Sequence, residues 1–551
     1  MLFVYLINGM VNVQLVIITI IGLLLRLINI DKPEGLWNDE YVSWAISAKP
    51  YAAGFLAGIK SQCHMPFYYI YLKACMAWGG QSDIFLRITS VIPCVLSIIV
   101  MYFAGLQKDK RTALIASFFT AISSFLIYYS QEVRLYSLLF LFSSLSLLYF
   151  LRYLKNQNGT NLGGLILFNF LIMFTHTIGF VFVILQLIVL SCFMFKTNKK
   201  RVAILWVSMI ASGIILYPFI YHILSTKSFS QWWGTFTFSK IVFLFSDYFS
   251  PVLTNLTNAP SNIFYVHSIG FLIFAYVTTI LAVFFIIKAC IKNKVNIALI
   301  SITAGVILVL ITAAISGKLV FITKYSIEIY PILLFLFAYG LADINKDVLR
   351  NTIITIVACI NLTYLFFSPV SAPKLPRTQG HNIVAYLLED SQIEKGDIIL
   401  FEYYPSDRFK KYIDLSDYSV YSFNKGNFYK YLAENSSYNE AVNNGKNTYK
   451  EIFLAENNPY YNKVLDNKLL KNLQKGQSIH LIINNSVAIY PIASVKEIAE
   501  NETIYDKVPL LFLVFSYINE YTTDYLSKEL KITNIERIGD WTTVKLTKLN
   551  N

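Results

Sequence analysis

Residues 11–41 read VNVQLVIITIIGLLLRLINIDKPEGLWNDEY, and this stretch decides the fold. Val11 to Ile30 is an apolar run broken by few polar residues, and about 20 such residues cross a hydrocarbon core roughly 30 Å thick. Nine residues past its end stand two adjacent carboxylates, Asp39 and Glu40, inside Trp37-Asn38-Asp39-Glu40-Tyr41. The chain is 56% hydrophobic and only 14% charged, so acidic residues beside a membrane segment need a physical reason. Met1 to Gln14 carries no Lys or Arg and no small-residue cleavage pattern follows the run, so the first helix is expected to stay in place.

Ten further apolar runs follow, at 83–105, 112–128, 135–151, 161–174, 177–195, 202–223, 265–287, 296–316, 327–343 and 351–369. The expected fold is therefore a polytopic α-helical membrane protein of about eleven spans. Arg26, near the end of the first run, is expected to snorkel to the interface. The net charge of +13 comes largely from short connectors between runs: those at 106–111, 152–160, 196–201, 288–295 and 344–350 hold fourteen Lys and Arg residues. Basic residues gathered there set topology, so no nucleic-acid partner is implied. The same bias puts these connectors in the cytoplasm and Asp39 outside. The six cysteines are scattered without a C-x-x-C pair, which points to neither a zinc site nor a disulfide framework, although Cys63 and Cys75 share one loop.

In this orientation the external side receives a loop over 31–82, a second over 225–264, and everything after Ser371. Val42, Trp44, Ala45 and Ile46 suit an interfacial helix with Asp39 in its first turn. N-terminal capping by an acidic residue would explain the same position. The chain divides into a membrane domain over 1–371 and an extracytoplasmic α/β domain over 372–551, past the break at Pro373 and Pro376. In the latter, Asp397 to Tyr403 and Ile479 to Asn484 read as buried strands, Glu520 to Leu530 as a helix and Trp541 to Leu546 as an edge strand. It contains no nucleotide-binding loop.

Polar groups recur at the external ends of the runs. Besides Asp39 and Glu40 there are His64, Tyr69 and Arg87 around the second run, and Gln131, Glu132, Arg134 and Tyr136 in a tight hairpin between the third and fourth. His176 separates the fifth and sixth, and Lys324-Tyr325 precedes the tenth. Membrane-edge ionisable groups point to function, yet each has a plainer reading. Asp83 with Arg87, and Lys324 with Glu328, have the i,i+4 spacing of helix-surface ion pairs, and His176 could serve helix packing. Their convergence on one side fits displacement of a lipid phosphate by an acceptor hydroxyl. That needs one carboxylate to take the hydroxyl proton and cations to hold the developing phosphate charge. Asp39 and Glu40, about 100° apart on a helix, cannot face each other across a glycosidic bond. One base with cationic clamps is the better fit.

The Asp-Glu pair, His64-x-Pro-x-Tyr-Tyr, the Ser-Gln-Glu-x-Arg-x-Tyr hairpin, Thr175-His176 and Lys324-Tyr325-(x)5-Pro331 together resemble integral-membrane glycosyltransferases of the GT-C fold. More narrowly, the likeness is to the branch of protein O-mannosyltransferases and lipid A aminoarabinose transferases. It covers residues 10–370. It implies inverting transfer of one sugar from a polyprenyl-phosphate donor to a glycan, lipid or protein acceptor, outside the cytoplasm, by a multi-pass plasma-membrane enzyme. On this resemblance Asp39, beside Glu40, is the catalytic acidic residue. Arg134 with its hairpin, and Lys324, lie near the donor phosphate, and His64, Tyr69, Arg87, His176 and Tyr325 are counted with the substrate-binding set. The family's His-Pro-Pro stands here as His64-Met65-Pro66 and its Arg-Tyr as Lys324-Tyr325; lysine keeps the charge and gives up the bidentate fork. A divalent metal is left open: Asp39, Glu40 and His64 could assemble a site, although no ligand spacing demands one. The alternative is a transporter or flippase of lipid-linked substrates, which calls for repeat symmetry and midplane charges; the runs here show neither. A non-catalytic scaffold would leave the convergent polar groups unexplained.

Overall fold

A computed structural model describes residues 12–31, 35–49, 53–61, 65–195, 198–225, 239–249, 269–291, 293–316 and 321–367, and, in the C-terminal part, 393–394, 397–402, 419–423, 475–484, 530–538 and 541–548. His64, Cys63 and most of the helix expected over 520–530 lie outside these. The chain divides into two compact units: Met1–Asp31 with Val42–Leu375, and Lys32–Tyr41 with Pro376–Asn551.

The described helices lie in the first unit, save that α2 begins in the second, and each expected apolar run overlaps one or two of them: α1 Val13–Leu27, α2 Asn38–Ala48, α3 Ala53–Ser61, α4 Phe67–Gly79, α5 Asp83–Gly105, α6 Lys110–Ile122, α7 Ser124–Ser130, α8 Tyr136–Lys155, α9 Gly159–Thr175, α10 Ile178–Met194, α11 Lys199–Ser225, α12 Ser239–Phe249, α13 Ile269–Ile291, α14 Lys294–Ile315, a 3₁₀ helix Thr323–Ile329, α15 Tyr330–Ala342 and α16 Asp347–Phe367. Among the described residues five are long and apolar enough to cross a bilayer: α5, α8, α11, α14 and the continuous Thr323–Ala342. The pair α6 and α7, bent by 54°, makes a sixth if taken as one span, and α1, α9, α10 and Tyr276–Ile291 are shorter apolar helices. The protein is a multi-pass membrane protein. Burial separates its layers: 89% of the Thr323–Ala342 window is buried against 17% for α11, so the former is central and the latter peripheral.

Short polar residues set the helix starts. Ser82, Asp109, Asn158 and Asn293 accept backbone N–H bonds at the N-termini of α5, α6, α9 and α14. Gly105 allows the tight α5–α6 turn, since a Cβ there would lie 2.4 Å from Ala113 Cα. Within the bundle, Ser146 of α8, Asn169 of α9 and Gln186 of α10 close a ring of hydrogen bonds at 2.7, 2.8 and 3.0 Å. Polar side chains pin three apolar helices together in this way where water is absent.

Arg26 corrects the snorkelling expectation. It is fully buried. Its Nη1 donates to Gly22 O and Ala121 O, both at 2.8 Å, its Nη2 to Thr120 O at 2.9 Å, and its Nε contacts Cys94 Sγ at 3.3 Å. The cause is the break at Ser123, whose side chain starts α7 by accepting from Leu126 N. The break leaves the last carbonyls of α6 without helical donors, and the guanidinium supplies them while meeting the negative end of the helix dipole.

The described strands of the second unit form one mixed sheet in the order β2-β1-β3-β5-β4: β1 Ile398–Glu402, β2 Ser419–Phe423, β3 Ser478–Asn484, β4 Leu530–Ile538 and β5 Trp541–Lys548. β1 pairs parallel with β2 and β3; β5 pairs antiparallel with β3 and β4. The strand expected at an edge, from Trp541, is interior, because alternation reports one wet face and carries no information about lateral partners. Asp397, buried at the start of β1, accepts from Ser478 N (2.7 Å), Glu394 N (3.1 Å) and His480 Nε2 (2.9 Å). Burial alone would raise its carboxyl, but these bonds outweigh it and hold the group below its ordinary value.

Candidate active site

The site is built from α2 outward. Trp37 precedes the helix, and its N–H donates to Glu40 Oε2 at 3.1 Å while its carbonyl accepts from Tyr41 N at 2.8 Å. This is the returning half of a capping box, a glutamate in the first turn reaching back to the capping residue. Glu40 is buried in this role, and Asp39, beside it, is half-exposed in the same turn.

Ser43 and Ser47 are four residues apart and so lie along one face of α2. In the first unit, both serines are buried. Ser43 Oγ accepts from Arg134 Nη1 at 3.3 Å, and Ser47 Oγ donates to Tyr69 O at 3.4 Å. On the next residue, Trp44 Nε1 donates to Gln81 Oε1 at 2.8 Å. Lys73 Nζ caps the far end of α2 through Ser47 O at 3.1 Å and Lys49 O at 2.5 Å.

The α7–α8 hairpin places Gln131, Glu132, Arg134 and Tyr136, all buried. Gln131 Nε2 donates to the carbonyls of Arg26 (3.1 Å) and Ile28 (2.7 Å), and Arg87 Nη1 donates to Ile30 O at 3.0 Å. These two side chains thus hold the main chain leaving α1. Asn29 there has φ 52°, a left-handed conformation that asparagine tolerates better than most residues. Glu132 O accepts from Arg134 N at 2.8 Å and tightens the hairpin.

A second set gathers on the 3₁₀ helix. Lys324 is buried, with its ammonium 5.7 Å from the ring centroids of both Tyr136 and Tyr325. Tyr325 stacks on His176, 6.2 Å between centroids at 29°. His176 Nδ1 lies 3.5 Å from Glu328 Oε1, an ion-pair distance without hydrogen-bond geometry. Tyr136, His176, Lys324 and Tyr325 are therefore one cluster, and Glu328 adjoins it at His176.

Asp247 and Tyr248 of α12 join the 3₁₀ segment without any motif that marks them. Asp247 Oδ2 accepts from Thr323 Oγ1 at 2.6 Å, directly before Lys324. Tyr248 OH bonds Ser326 at 2.8 Å, and its ring stacks on Tyr330 at 4.3 Å. α12 lies in the 225–264 connector, outside the spans. Burial there pushes the Asp247 carboxyl up to about 7, against the lowering bond from Thr323. The available signal was Ser246-Asp247-Tyr248, a polar triplet inside an apolar stretch. Among the described residues no three of His, Cys, Asp and Glu gather to hold a metal ion.

No protein-family model matches the chain and no curated protein matches it in sequence. Its fold does match solved structures. ArnT from Cupriavidus metallidurans bound to undecaprenyl phosphate aligns over 96% of this chain and 97% of that one, with a TM-score of 0.50 and 12% identity, and the apo state of ArnT aligns equally. The Archaeoglobus fulgidus oligosaccharyltransferase in complex with Zn and sulfate is a looser likeness, over 70% of this chain and 60% of that one, at TM-score 0.40 and 14% identity. The fold is GT-C, that of polytopic membrane glycosyltransferases.

Proposed function

We propose that this protein is an inverting glycosyltransferase that moves a sugar from a polyprenyl-phosphate donor to an acceptor hydroxyl on the extracytoplasmic side of the membrane. The observation that carries the reading is the bond from Arg134 to Ser43. A permanently charged guanidinium is buried in the first unit and bonded to the Ser43 hydroxyl, where it can meet a phosphate charge. The GT-C fold, and the undecaprenyl phosphate bound by ArnT, support the same donor class.

In the reaction the acceptor oxygen attacks the anomeric carbon as the bond from that carbon to the phosphate oxygen breaks. The bonding pair leaves with the prenyl phosphate, and the hydroxyl proton passes to the Asp39 carboxylate. Arg134 and Lys324 hold the charge that develops on the phosphate, and Tyr136 and Tyr325 flank the Lys324 ammonium. Glu40 fixes the first turn of α2. Gln131 and Arg87 hold the chain leaving α1.

Mass spectrometry of lipid-linked sugars and surface glycans, with the gene intact and disrupted, tests the assignment. A glycan that loses one residue while a polyprenyl-phosphate sugar accumulates is the expected result. Unchanged pools of both would overturn it.

A further inference from the structure

Glu328 has no part in the transfer chemistry, yet it is fully buried next to the proposed phosphate site. Neither of its oxygens has a hydrogen-bond partner among the described residues, and His176 Nδ1, 3.5 Å away, has none either. Burying a carboxyl group without donors is costly, and a fold that needed only volume there would do better with leucine. Lys324 precedes Glu328 by four residues on the same segment, and the ring of Tyr325 stacks on His176. The open valences are those of a carboxyl and an imidazole nitrogen. A ligand carrying several hydroxyl groups close to a phosphate would satisfy both.

We propose that Glu328 and His176 form the subsite that recognises the hydroxyl groups of the transferred sugar, with Glu328 accepting from ring hydroxyls and His176 Nδ1 completing the set. This inference rests on the donor class proposed above. It assigns Glu328 to sugar specificity, separate from the phosphate-holding cations. A site built to bond hydroxyls discriminates strongly against a ligand that lacks them, because its buried polar groups are then left unpaired.

The test compares binding of undecaprenyl phosphate with undecaprenyl phosphate bearing glucose, mannose or arabinose, using the full-length protein in nanodiscs. The wild type is expected to bind at least one sugar-bearing lipid more tightly than the bare lipid. Glu328→Gln should weaken that lipid by about tenfold to a hundredfold and leave the bare lipid within about twofold. Glu328→Asp, which keeps the carboxylate one methylene back, should lose less, and provides the comparison if the Gln variant folds poorly. A Gln variant that keeps the wild-type preference would overturn the proposal. So would equal weakening of both lipids, the mark of a structural role, or a wild type with no preference for any sugar-bearing lipid. A wild type that binds neither kind of lipid would instead remove the donor class itself.

Discussion

Replacing Arg26 by Met keeps most of the apolar stem and removes the charge and every donor. Two opposing effects decide the outcome. The guanidinium bonds Thr120 O and Ala121 O at the broken end of α6, and its removal leaves both carbonyls buried and bare. At about 1.5 kcal/mol for each charge-assisted bond, the low end of the usual range, the loss is roughly 3 kcal/mol. The bond to Gly22 O adds little, since that carbonyl belongs to Arg26's own helical turn. Against this, burying a charge carries a desolvation penalty that Met does not, and Arg26 has no carboxylate in ion-pair contact among the described residues. The helix dipole and the neighbouring carbonyls stand in for that carboxylate, so the lost bonds outweigh the relieved penalty. The assay is thermal unfolding in detergent, read by tryptophan fluorescence. The Arg26→Met protein should melt several degrees lower, with Arg26→Lys in between. A Met variant as stable as the wild type or more so would show that the buried charge outweighs its bonds and would refute the capping role.

Further expectations follow from other buried polar groups. Asp247 holds its proton to about pH 7 in the folded state, whereas an unfolded Asp releases it near 4. Its contribution to stability is therefore complete below pH 4 and is lost as pH rises through 7; thermal melts across this range should show that slope, and Asp247→Asn should flatten it. Gln131→Leu frees the carbonyls of residues 26 and 28 and should lower kcat by about tenfold with little change in KM, measured by steady-state transfer. Asn169→Leu opens the hydrogen-bonded ring between α8, α9 and α10 and should cost about 1 kcal/mol, read as a lower melting temperature.

The sequence carried the membrane fold well because a run of about 20 apolar residues has few other uses. Each run overlaps a described helix, although five helices, or six with the bent pair, are long and apolar enough to cross a bilayer, and α2 begins where its carboxylates and following apolar positions require. What stayed hidden depends on tertiary neighbours. The 54° bend at Ser123 lies inside a continuous apolar run. Arg26 has the composition of a snorkelling residue, and only the broken helix beside it explains its burial. Glu328 looked like the i,i+4 partner of Lys324, because spacing cannot report that a 3₁₀ turn carries it to His176. In the second unit β2 and β4 escaped notice, and β4 carries a register shift between Ile532 and Asn534 that blurs its alternation. Gln131 and Arg87 stand out in the sequence as polar groups at the right level; their bonds to the main chain after α1 emerge only from the fold.

The central claim is most directly tested by single-turnover transfer with purified Asp39→Asn protein, loaded with the polyprenyl-phosphate sugar that accumulates in cells lacking the gene. The substitution is nearly isosteric at a half-exposed position, so donor binding and melting temperature should match the wild type. The account predicts a fall in the transfer rate of about a hundredfold to ten-thousandfold. Transfer at the wild-type rate by a folded, donor-binding Asp39→Asn protein would contradict it.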